Sequence, residues 1–493
     1  MLYNSTRGGE KGLQASEAIL KGLADDGGLF MPESIPALKI SLKELSKMSY
    51  QDLCYEVIKE FLTDFTEEEL RHCINSAYDE KFETPSIAPL VKKDDAYFLE
   101  LFHGKTIAFK DMALSILPHF MVTSARKNDV TDKIVILTAT SGDTGKAAMA
   151  GFSDVPGTEI IVFYPYGGVS KFQELQMRTE PGKNTHAAAI HGNFDDAQTG
   201  VKKIFGDREF TAKLKDKGVI LSSANSINIG RLVPQVAYYV YAYVQLMAKK
   251  EIEDGEKINV CVPTGNFGNI LAAYFAKHMG VPIDKLICAS NENRVLTDFF
   301  GTGKYDRNRP FILTSSPSMD ILISSNLERL IYLSTGSSAE KTAQLMKELK
   351  ENGVYEITDD MRAFIADFYG GYASEDSVFA AIRALRDKTG YVIDPHTAVA
   401  KAVYDEYVDK TGDKTKTVIA STASPFKFSP SVMKALGEDG DDEDVFKVID
   451  ALQSIAGVPL PRAINEVRSA EIRHNTVCEV SEMEKTVESF LLS

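Results

Sequence analysis

From about residue 96 onward, short apolar runs rich in β-branched residues alternate with helical segments, and this alternation strongly constrains the fold. The apolar runs are Lys133–Leu137, Ile160–Tyr164, Val219–Ser222, Ile258–Val262 and Thr417–Ser421. Each is followed by a loop containing Gly, Ser, Thr or Asn, and helical patterns such as Ile229–Met247 and Asn269–His278 follow most of the loops. Continuous apolar strands between helices are typical of parallel sheets that are covered on both faces. We therefore expect an α/β protein with doubly wound, mainly parallel sheets, in which ligands bind at the carboxyl ends of the strands.

Changes in texture along the chain indicate four parts. The first 95 residues contain helix-like runs at Ser16–Leu23 and Tyr50–Phe61, and an acidic stretch opens with Thr66 as an N-cap. Charged linkers at Glu251–Lys257 and Gly437–Asp444 interrupt the rest of the chain. We expect an N-terminal domain at 1–95, a smaller and mobile α/β domain at 96–250, a larger α/β domain at 251–436, and a helical tail at 437–493 packed on the larger domain.

Composition and charge exclude several classes of protein. The 493 residues carry a formal net charge of −15, whereas a nucleic-acid-binding surface needs a basic face. The five cysteines are scattered without a C-x-x-C pair, which argues against a disulfide framework or a structural zinc site. The start of the chain lacks an apolar signal core, and no apolar run approaches the ~20 residues that cross a bilayer. We expect a cytoplasmic protein without a bound metal, a nucleic-acid partner or a membrane partner.

Two loops between a strand and a helix are candidate binding sites for anions. Thr264–Asn269 (TGNFGN) follows the strand INVCVP and opens a helix, so its backbone N–H groups and the helix N-terminus suit a phosphate. Thr138–Gly145 (TATSGDTG) combines two glycines with Ser141 and Thr144, which suits a carboxylate. A tight turn without any ligand is the alternative for each loop.

The same loops weaken two nucleotide-binding hypotheses. TGNFGN is not G-x-G-x-x-G, and no acidic partner for a ribose follows it, which disfavours a dinucleotide. Lys146 gives the second loop a superficial likeness to a P-loop. That pattern requires Gly at position 140 and Ser or Thr at position 147, where this chain has Thr140 and Ala147. A P-loop-like nucleotide binder is therefore a rival hypothesis that fails at two positions.

Lys110, in the run FHGKTIAFKD, is a candidate catalytic lysine. It follows the apolar residues Ile107–Phe109, and a catalytic lysine needs a partly apolar site that lowers its pKa and lets it attack a carbonyl. An ordinary surface lysine is the alternative. Nearby His103 receives no role.

Two later motifs, DPHT at Asp394–Thr397 and STASP at Ser421–Pro425, are more typical of turns and helix starts than of binding sites. The second follows a strand directly. A hydroxyl group at that point could meet a ligand ring.

Taken together, these motifs resemble the threonine synthase family of fold-type-II (tryptophan-synthase-β-like) pyridoxal-phosphate enzymes. The match begins at STRG (Ser5–Gly8) and SEAILKGLADDGGLFMPESIP (Ser16–Pro36), and it continues through FHGKTIAFKD, TSGDTG, SANSINIGRL (Ser223–Leu232), TGNFGN, DPHT and STASPFKF (Ser421–Phe428). It spans most of the chain. The resemblance implies two doubly wound, mainly parallel-sheet domains plus an additional N-terminal domain, with the cofactor lysine in 96–250 and the cofactor-phosphate loop in 251–436.

The resemblance also implies roles for individual residues. Lys110 forms the Schiff base with pyridoxal 5′-phosphate, Thr422 meets the pyridine nitrogen as a neutral partner, and Asp143 lies near the cofactor 3′-oxygen. The residues that cradle the cofactor phosphate are Gly265, Asn266, Phe267, Gly268 and Asn269. The residues that face the substrate carboxylate are Ser141, Gly142 and Thr144. Candidates for the substrate phosphate are Ser226, Asn228 and Arg231, although Arg231 could instead form a structural pair.

The implied reaction converts O-phospho-L-homoserine and water to L-threonine and phosphate by γ-elimination and β-addition, the last step of threonine biosynthesis, in a monomer or homodimer. Lys110 would act as general base on the α-proton. One rival is a related phospho-lyase that releases a keto acid and phosphate, and another is a catalytically inactive relative. The chain departs from the family at Lys105, where members usually have Pro; a cation there could attract the substrate or be a neutral change.

Overall fold

The computed structural model describes residues 1–492, in which helices and strands alternate over most of the chain. The strands are β1 (Tyr3–Ser5), β2 (Phe30–Pro32), β3 (Leu90–Lys93), β4 (Ala96–Glu100), β5 (Lys133–Ala139), β6 (Thr158–Pro165), β7 (Thr185–His191), β8 (Val219–Ser222), β9 (Ile258–Pro263), β10 (Ile283–Ser290), β11 (Lys304–Asp306), β12 (Val354–Glu356), β13 (Phe368–Tyr372), β14 (Thr417–Ser421) and β15 (Thr476–Glu479). The helices are α1 (Ala15–Lys21), α2 (Leu42–Leu45), α3 (Tyr50–Ile58), α4 (Glu67–Ala77), α5 (Asp111–Leu114), α6 (Leu117–Lys127), α7 (Asp143–Phe152), α8 (Lys171–Arg178), α9 (Phe194–Gly206), α10 (Arg208–Asp216), α11 (Ile229–Ala248), α12 (Gly268–His278), α13 (Val295–Thr302), α14 (Leu327–Ser334), α15 (Ala339–Asn352), α16 (Asp359–Phe364), α17 (Glu375–Thr389), α18 (Pro395–Thr411), α19 (Ser429–Ala435), α20 (Val445–Ala456), α21 (Arg462–Ser469) and α22 (Met483–Leu492). Short 3-10 turns cover Pro317–Met319, Pro425–Phe428 and Val480–Glu482.

The larger sheet has six strands in the order β13-β10-β9-β14-β4-β3. Neighbouring strands are parallel except for the antiparallel hairpin β3–β4. Its central strands are almost continuously apolar because both faces of the sheet are covered. In β9, Val260 and Val262 join the core that includes α11 and α12, whereas Cys261 joins the core formed with α17, α18 and α19. The doubly wound arrangement expected from the apolar runs is therefore confirmed.

The smaller sheet has five parallel strands in the order β15-β7-β6-β5-β8. Alternate residues of β5 again serve two cores. Ile134 and Ile136 join the main core, whereas Val135 and Leu137 face a separate core with α9, α10 and α22. Loops that leave the carboxyl ends of β5, β9 and β14 lead into the pocket described below.

The tail and one domain boundary differ from expectation. Helices α20 and α21 do pack on the larger domain. However, the tail is not wholly helical, because β15 pairs in parallel with β7 of the smaller sheet, and α22 packs against α9. This addition covers β7, which would otherwise be an exposed edge. Likewise, β4 pairs with β14, so 96–100 belongs to the larger sheet and not to the smaller domain expected at 96–250.

The N-terminal domain packs on the main core through α1, which contacts α6, and through α3, which contacts α11. Thr66 is the N-cap of α4, as expected, and forms a capping box with Glu69. Arg7 forms a bidentate pair with Glu328 of α14 through contacts of 2.9 and 2.8 Å. Such a fork is directional, so it fixes the orientation of the first strand against the larger domain.

Residues 1–492 contain no helix that is both long enough and apolar enough to cross a membrane. Within that range, no group of three or more His, Cys, Asp or Glu side chains is arranged to hold a metal ion. All five cysteines are buried as free thiols.

Candidate active site

A pocket of about 220 Å³ lies where loops from the two sheets meet. It receives the loop after β5 from the smaller sheet, and the loops after β9 and β14 from the larger sheet. Lys110 and Arg231 bring positive charge to its wall. The pocket lies at the carboxyl ends of parallel strands, as expected for a doubly wound fold.

A strained turn places Lys110 at the start of α5. Ile107 has a φ of 51°, which is rare for a β-branched residue and costs of order 1–3 kcal/mol. The turn is held against the segment after β14: Phe109 N donates to the Thr422 carbonyl at 2.7 Å, and Ser424 N donates to the Ile107 carbonyl at 3.0 Å. These bonds aim the Lys110 side chain into the pocket, where it is only 13% exposed.

The Lys110 amine has few partners. Its Nζ lies 3.3 Å from Ser318 Oγ and 3.9 Å from Asp143 Oδ2. Burial lowers the pKa of Lys110 to about 8; the Asp143 carboxylate opposes the shift, and the charges of Arg231 and Lys427 add to it. An amine with this pKa is partly neutral near physiological pH and can attack a carbonyl carbon.

The loop Gly265–Asn269 forms a cradle at the N-terminus of α12. Phe267 has a left-handed φ of 66°, and its ring packs against Phe300 and Phe368. Asn269 Oδ1 accepts hydrogen bonds from Tyr238 and Tyr239 at 2.7 and 2.5 Å, whereas its buried Nδ2 has no hydrogen-bond partner among residues 1–492. A buried donor without an acceptor is costly, and an anionic ligand oxygen would satisfy it. The cradle therefore fits the phosphate of pyridoxal phosphate.

Residues of the larger domain hold this cradle from behind. Ser324 Oγ donates to the Gly265 carbonyl at 2.7 Å, and Asn326 donates to the Asn266 carbonyl through both its backbone N (3.0 Å) and its Nδ2 (2.9 Å). Asn326 is in turn held by Arg329, which is completely buried. Arg329 also donates to the carbonyls of Phe30 and Ile227, so the cradle is tied to the N-terminal domain and to the segment before α11.

The loop after β5 is shaped by Thr140 and Gly142. Thr140 Oγ1 accepts hydrogen bonds from the N–H groups of Gly142 and Gly145, both at 3.0 Å. Gly142 has a φ of 138°, and an added Cβ would lie 2.5 Å from the Gln173 side chain, so only glycine fits. Ser141 and Thr144 line the pocket as expected, whereas Gly142 shapes the turn without lining it.

Asp143 lies behind Lys110. Its carboxylate accepts hydrogen bonds from Gln173 Nε2 at 2.6 Å and from Ser318 Oγ at 2.9 Å, and it pairs with Lys427 at 3.2 Å. Burial alone would raise the pKa of Asp143. The ammonium groups of Lys427 and Lys110 outweigh burial and hold that pKa well below its usual range. Asp143 is therefore a carboxylate; it faces Lys110 from behind and does not itself line the pocket.

The segment Ser223–Leu232 contributes two of its three expected residues. Ser226 and Arg231 line the pocket. Arg231 Nη1 donates to the Ala224 carbonyl at 2.8 Å, while its Nε is buried without a partner among the described residues. Asn228 does not line the pocket: its side chain caps α11 and donates to the Ile19 carbonyl, each at 2.9 Å. The expectation that Asn228 binds a phosphate is therefore replaced by a role as a helix cap.

Comparison with known proteins assigns the chain to a family. Three family models match it: "Threonine synthase N terminus" at residues 2–78, "Pyridoxal-phosphate dependent enzyme" at 82–424, and "Threonine synthase, C-terminal" at 397–487. A threonine synthase of Schizosaccharomyces pombe is 38% identical over 471 residues, covering 89% of this chain and 90% of that protein. A crystal structure of PLP-bound threonine synthase from Brucella melitensis has a TM-score of 0.88 at 35% identity, covering 100% of this chain and 99% of that one. The chain belongs to the threonine synthase family.

Some proteins that are similar to this chain are longer than it is. The protein named threonine synthase-like 1 from Macaca fascicularis is 42% identical over 434 residues, which cover 85% of this chain. The match covers only 58% of the length of that relative. Family membership therefore accounts for the shared fold and cofactor class, while the reaction has to be inferred from the pocket.

Lys146 and Lys105 do not line the pocket that contains Lys110. Lys146, which gave the P-loop likeness, is buried and paired with Glu180. A P-loop lysine must instead reach a nucleotide phosphate, so the nucleotide hypothesis loses its cation. Lys105 lines a separate cavity of about 190 Å³ together with Lys81 and His119. Lys105 is therefore not part of the lining of the Lys110 pocket.

The interpretation of the sequence missed several pocket residues, of which His396 and Ser318 contact other parts of the site. His396, in the DPHT motif, lines the pocket because Asp394 caps α18 and holds His396 Nδ1 at 2.7 Å. Its Nε2 accepts a hydrogen bond from Ser318 N at 3.2 Å, which fixes the turn that carries Ser318. The DPHT motif was the available signal for His396. No local pattern marks Ser318, which lies in the short 3-10 turn Pro317–Met319.

Proposed function

We propose that the protein is a pyridoxal-phosphate-dependent threonine synthase that converts O-phospho-L-homoserine and water to L-threonine and phosphate. One observation carries the proposal: a buried lysine of lowered pKa shares a pocket with a phosphate cradle and with a second, buried cation. A substrate with its own phosphate needs that second anion site, because the cradle is taken by the cofactor phosphate.

The cofactor would lie between three fixed points. The cradle Gly265–Asn269 would hold its phosphate through the N-terminus of α12 and the free Asn269 amide. Lys110 would form the covalent link, and Thr422, which lines the same pocket, would place its hydroxyl beside the ring nitrogen. When bound, pyridoxal phosphate supplies an electron sink that stabilises negative charge at the carbon atoms of the amino-acid substrate.

Lys110 has two tasks in the proposal. It would hold the cofactor covalently, and its amine, when free, would take the α-proton of the substrate and return protons at later steps. Ser318 Oγ lies 3.3 Å from the amine and can keep it oriented when the covalent link is broken. A single amine within reach of successive carbon atoms avoids the need for several bases.

The substrate would be gripped at both ends. Ser141 and Thr144 present hydroxyls for its carboxylate from the loop after β5. Arg231, assisted by Ser226, would bind its phosphate, because the Arg231 Nε is buried and has no acceptor among residues 1–492. Guanidinium groups suit phosphate because they can donate two parallel hydrogen bonds. The departing phosphate would therefore leave against a fixed positive charge.

We further propose that the smaller domain closes over the substrate, since reactive unsaturated groups must be shielded from stray water. The loop that carries Ser141 and Thr144 belongs to that domain, so closure would bring the carboxylate contacts to Lys110. The enzyme is expected to work in the cytoplasm as a monomer or homodimer.

Product analysis tests the proposed reaction. The purified protein with bound cofactor is incubated with O-phospho-L-homoserine, and threonine, phosphate and 2-oxobutyrate are quantified by chromatography. We expect equal amounts of threonine and phosphate. Release of 2-oxobutyrate with phosphate and without threonine would identify a phospho-lyase and contradict the proposal. An Arg231→Gln variant serves as the control, since the same products should form only at higher substrate concentration.

A further inference from the structure

Lys427 is a second lysine close to Lys110, and its side chain is completely buried. It lies in the 3-10 turn Pro425–Phe428 that follows β14. Its Nζ lies 3.2 Å from Asp143 Oδ1, donates to the Thr106 carbonyl at 2.8 Å and donates to Gln176 Oε1 at 3.3 Å. The larger domain thus places a well-coordinated cation against the carboxylate of the smaller domain.

One carboxylate, Asp143, lies between two ammonium groups. Lys427 is the nearer, at 3.2 Å, and two further oxygen acceptors stabilise its charge. Lys110 is 3.9 Å away, and within the described part of the chain its amine has only the Ser318 hydroxyl as another partner. Since a buried charge is stable only when it is paired and hydrogen-bonded, Lys110 is the lysine that loses its proton first.

We infer that Lys427 is a positioning residue that pairs with the Asp143 carboxylate and thereby favours the neutral, nucleophilic form of the Lys110 amine. The inference rests on the proposed role of Lys110 in binding the cofactor. Lys427 also stabilises the turn that precedes Lys110, because its Nζ donates a hydrogen bond to the Thr106 carbonyl next to Ile107, whose φ is 51°. It sets the charge of Lys110 and supports its location without contacting the reacting atoms.

The surrounding charges agree with this assignment. The pKa of Lys110 falls through burial, and the charges of Arg231 and Lys427 lower it further while Asp143 opposes them. Asp111, which is buried beside Lys110, has a raised pKa through burial, and Lys427 also faces this carboxyl. The remaining charged or titratable groups near the three side chains are His396 with its partner Asp394, and Lys146 with its partner Glu180.

The test measures how the rate of covalent cofactor capture depends on pH. Full-length protein is stripped of cofactor and mixed with excess pyridoxal phosphate, and the absorbance of the lysine–cofactor linkage is followed. Neutral Lys110 is the reacting species, so the midpoint of the rate against pH reports its protonation. The variants are Lys427→Gln, Lys427→Arg and Asp143→Asn, each checked for folding by circular dichroism.

The two charge-removing variants should move the midpoint in opposite directions. In Lys427→Gln, the carboxylate is left to Lys110 alone, so the midpoint rises by about one pH unit and capture near pH 7 slows about tenfold. In Asp143→Asn, Lys427 repels Lys110 without compensation, so the midpoint falls. Lys427→Arg keeps the charge and the parental midpoint. A purely structural role would not produce shifts of opposite sign.

A double variant covers the case in which Lys427→Gln does not fold. Lys427→Gln with Asp143→Asn removes the carboxylate together with its partner, and its midpoint should lie above that of Asp143→Asn alone. Identical midpoints in the parent and in the folded variants would overturn the role of Lys427 while leaving the proposed function intact. Failure of the parent itself to capture the cofactor would overturn both.

Discussion

A single methyl group at Gly265 should weaken cofactor binding. A Cβ at this position would lie 2.7 Å from the Ser318 carbonyl oxygen, whereas ordinary contacts begin near 3.4 Å. The oxygen belongs to the Ser318 backbone and the new Cβ is attached directly to the Gly265 backbone, so neither can move as a flexible side chain would. The cradle or the Ser318 turn must therefore shift by several tenths of an ångström. Overpacking of this kind costs about 1–3 kcal/mol. If the strain is relieved by moving the cradle off the cofactor phosphate, binding weakens about 5- to 150-fold.

The assay is the equilibrium dissociation constant of pyridoxal phosphate from the Gly265→Ala variant, measured by fluorescence titration of cofactor-free protein. Gly301→Ala is the matched control. Gly301 lies in α13 of the same domain, and nothing lies within 4 Å of an added Cβ. The control should bind the cofactor like the parent. An unchanged constant for Gly265→Ala would refute the reasoning that close backbone contact fixes the cradle.

Three further predictions concern charge. Lys146→Met should lower the free energy of unfolding by about 3–5 kcal/mol, because it leaves the buried Glu180 carboxylate unpaired. The control is Lys410→Met, which removes one partner of an exposed ion pair and should change the free energy of unfolding little. Equal losses for the two variants in urea titrations would contradict this prediction. The free energy of unfolding of the cofactor-free chain should rise between pH values of about 8 and 10.5. In this range Lys110 is neutral in the folded chain and protonated in the unfolded chain, so unfolding takes up a proton. A Lys110→Met variant should lack that rise. Arg231→Gln should raise the KM for O-phospho-L-homoserine about tenfold or more, and an unchanged KM would remove Arg231 from the substrate site.

The sequence predicted the central strands well for a physical reason. The apolar runs at Val219–Ser222 and Thr417–Ser421 are strands with those same bounds, because strands buried on both faces are read from apolar content alone. Strand β7 (THAAAIH) was missed, since alanine has low strand propensity and the run is placed by pairing with its neighbours, one of which is β6. Its other neighbour, β15, lies almost three hundred residues further along the chain.

The residues of the candidate site likewise fall into those that a local sequence pattern predicted and those that it did not. Residues in a compact loop after a strand, such as Gly265–Asn269 and Thr422, lie in the pocket as expected. Ser318 reaches Lys110, and Lys427 reaches Asp143, from distant segments, so no spacing rule reveals either contact. Asn228 shows the opposite error. It occurs in a motif of the family, but its side chain caps α11 and donates to the Ile19 carbonyl, so it does not line the pocket.

The central claim is that Lys110 carries the cofactor, and the visible absorbance of the purified protein tests it most directly. The parent with bound pyridoxal phosphate should show the band of a lysine–cofactor linkage, and borohydride reduction should leave the cofactor attached to the peptide that contains Lys110. Lys110→Ala should show neither, even though its phosphate cradle is intact. Identical spectra for the parent and the variant, or a label on another lysine, would contradict the account.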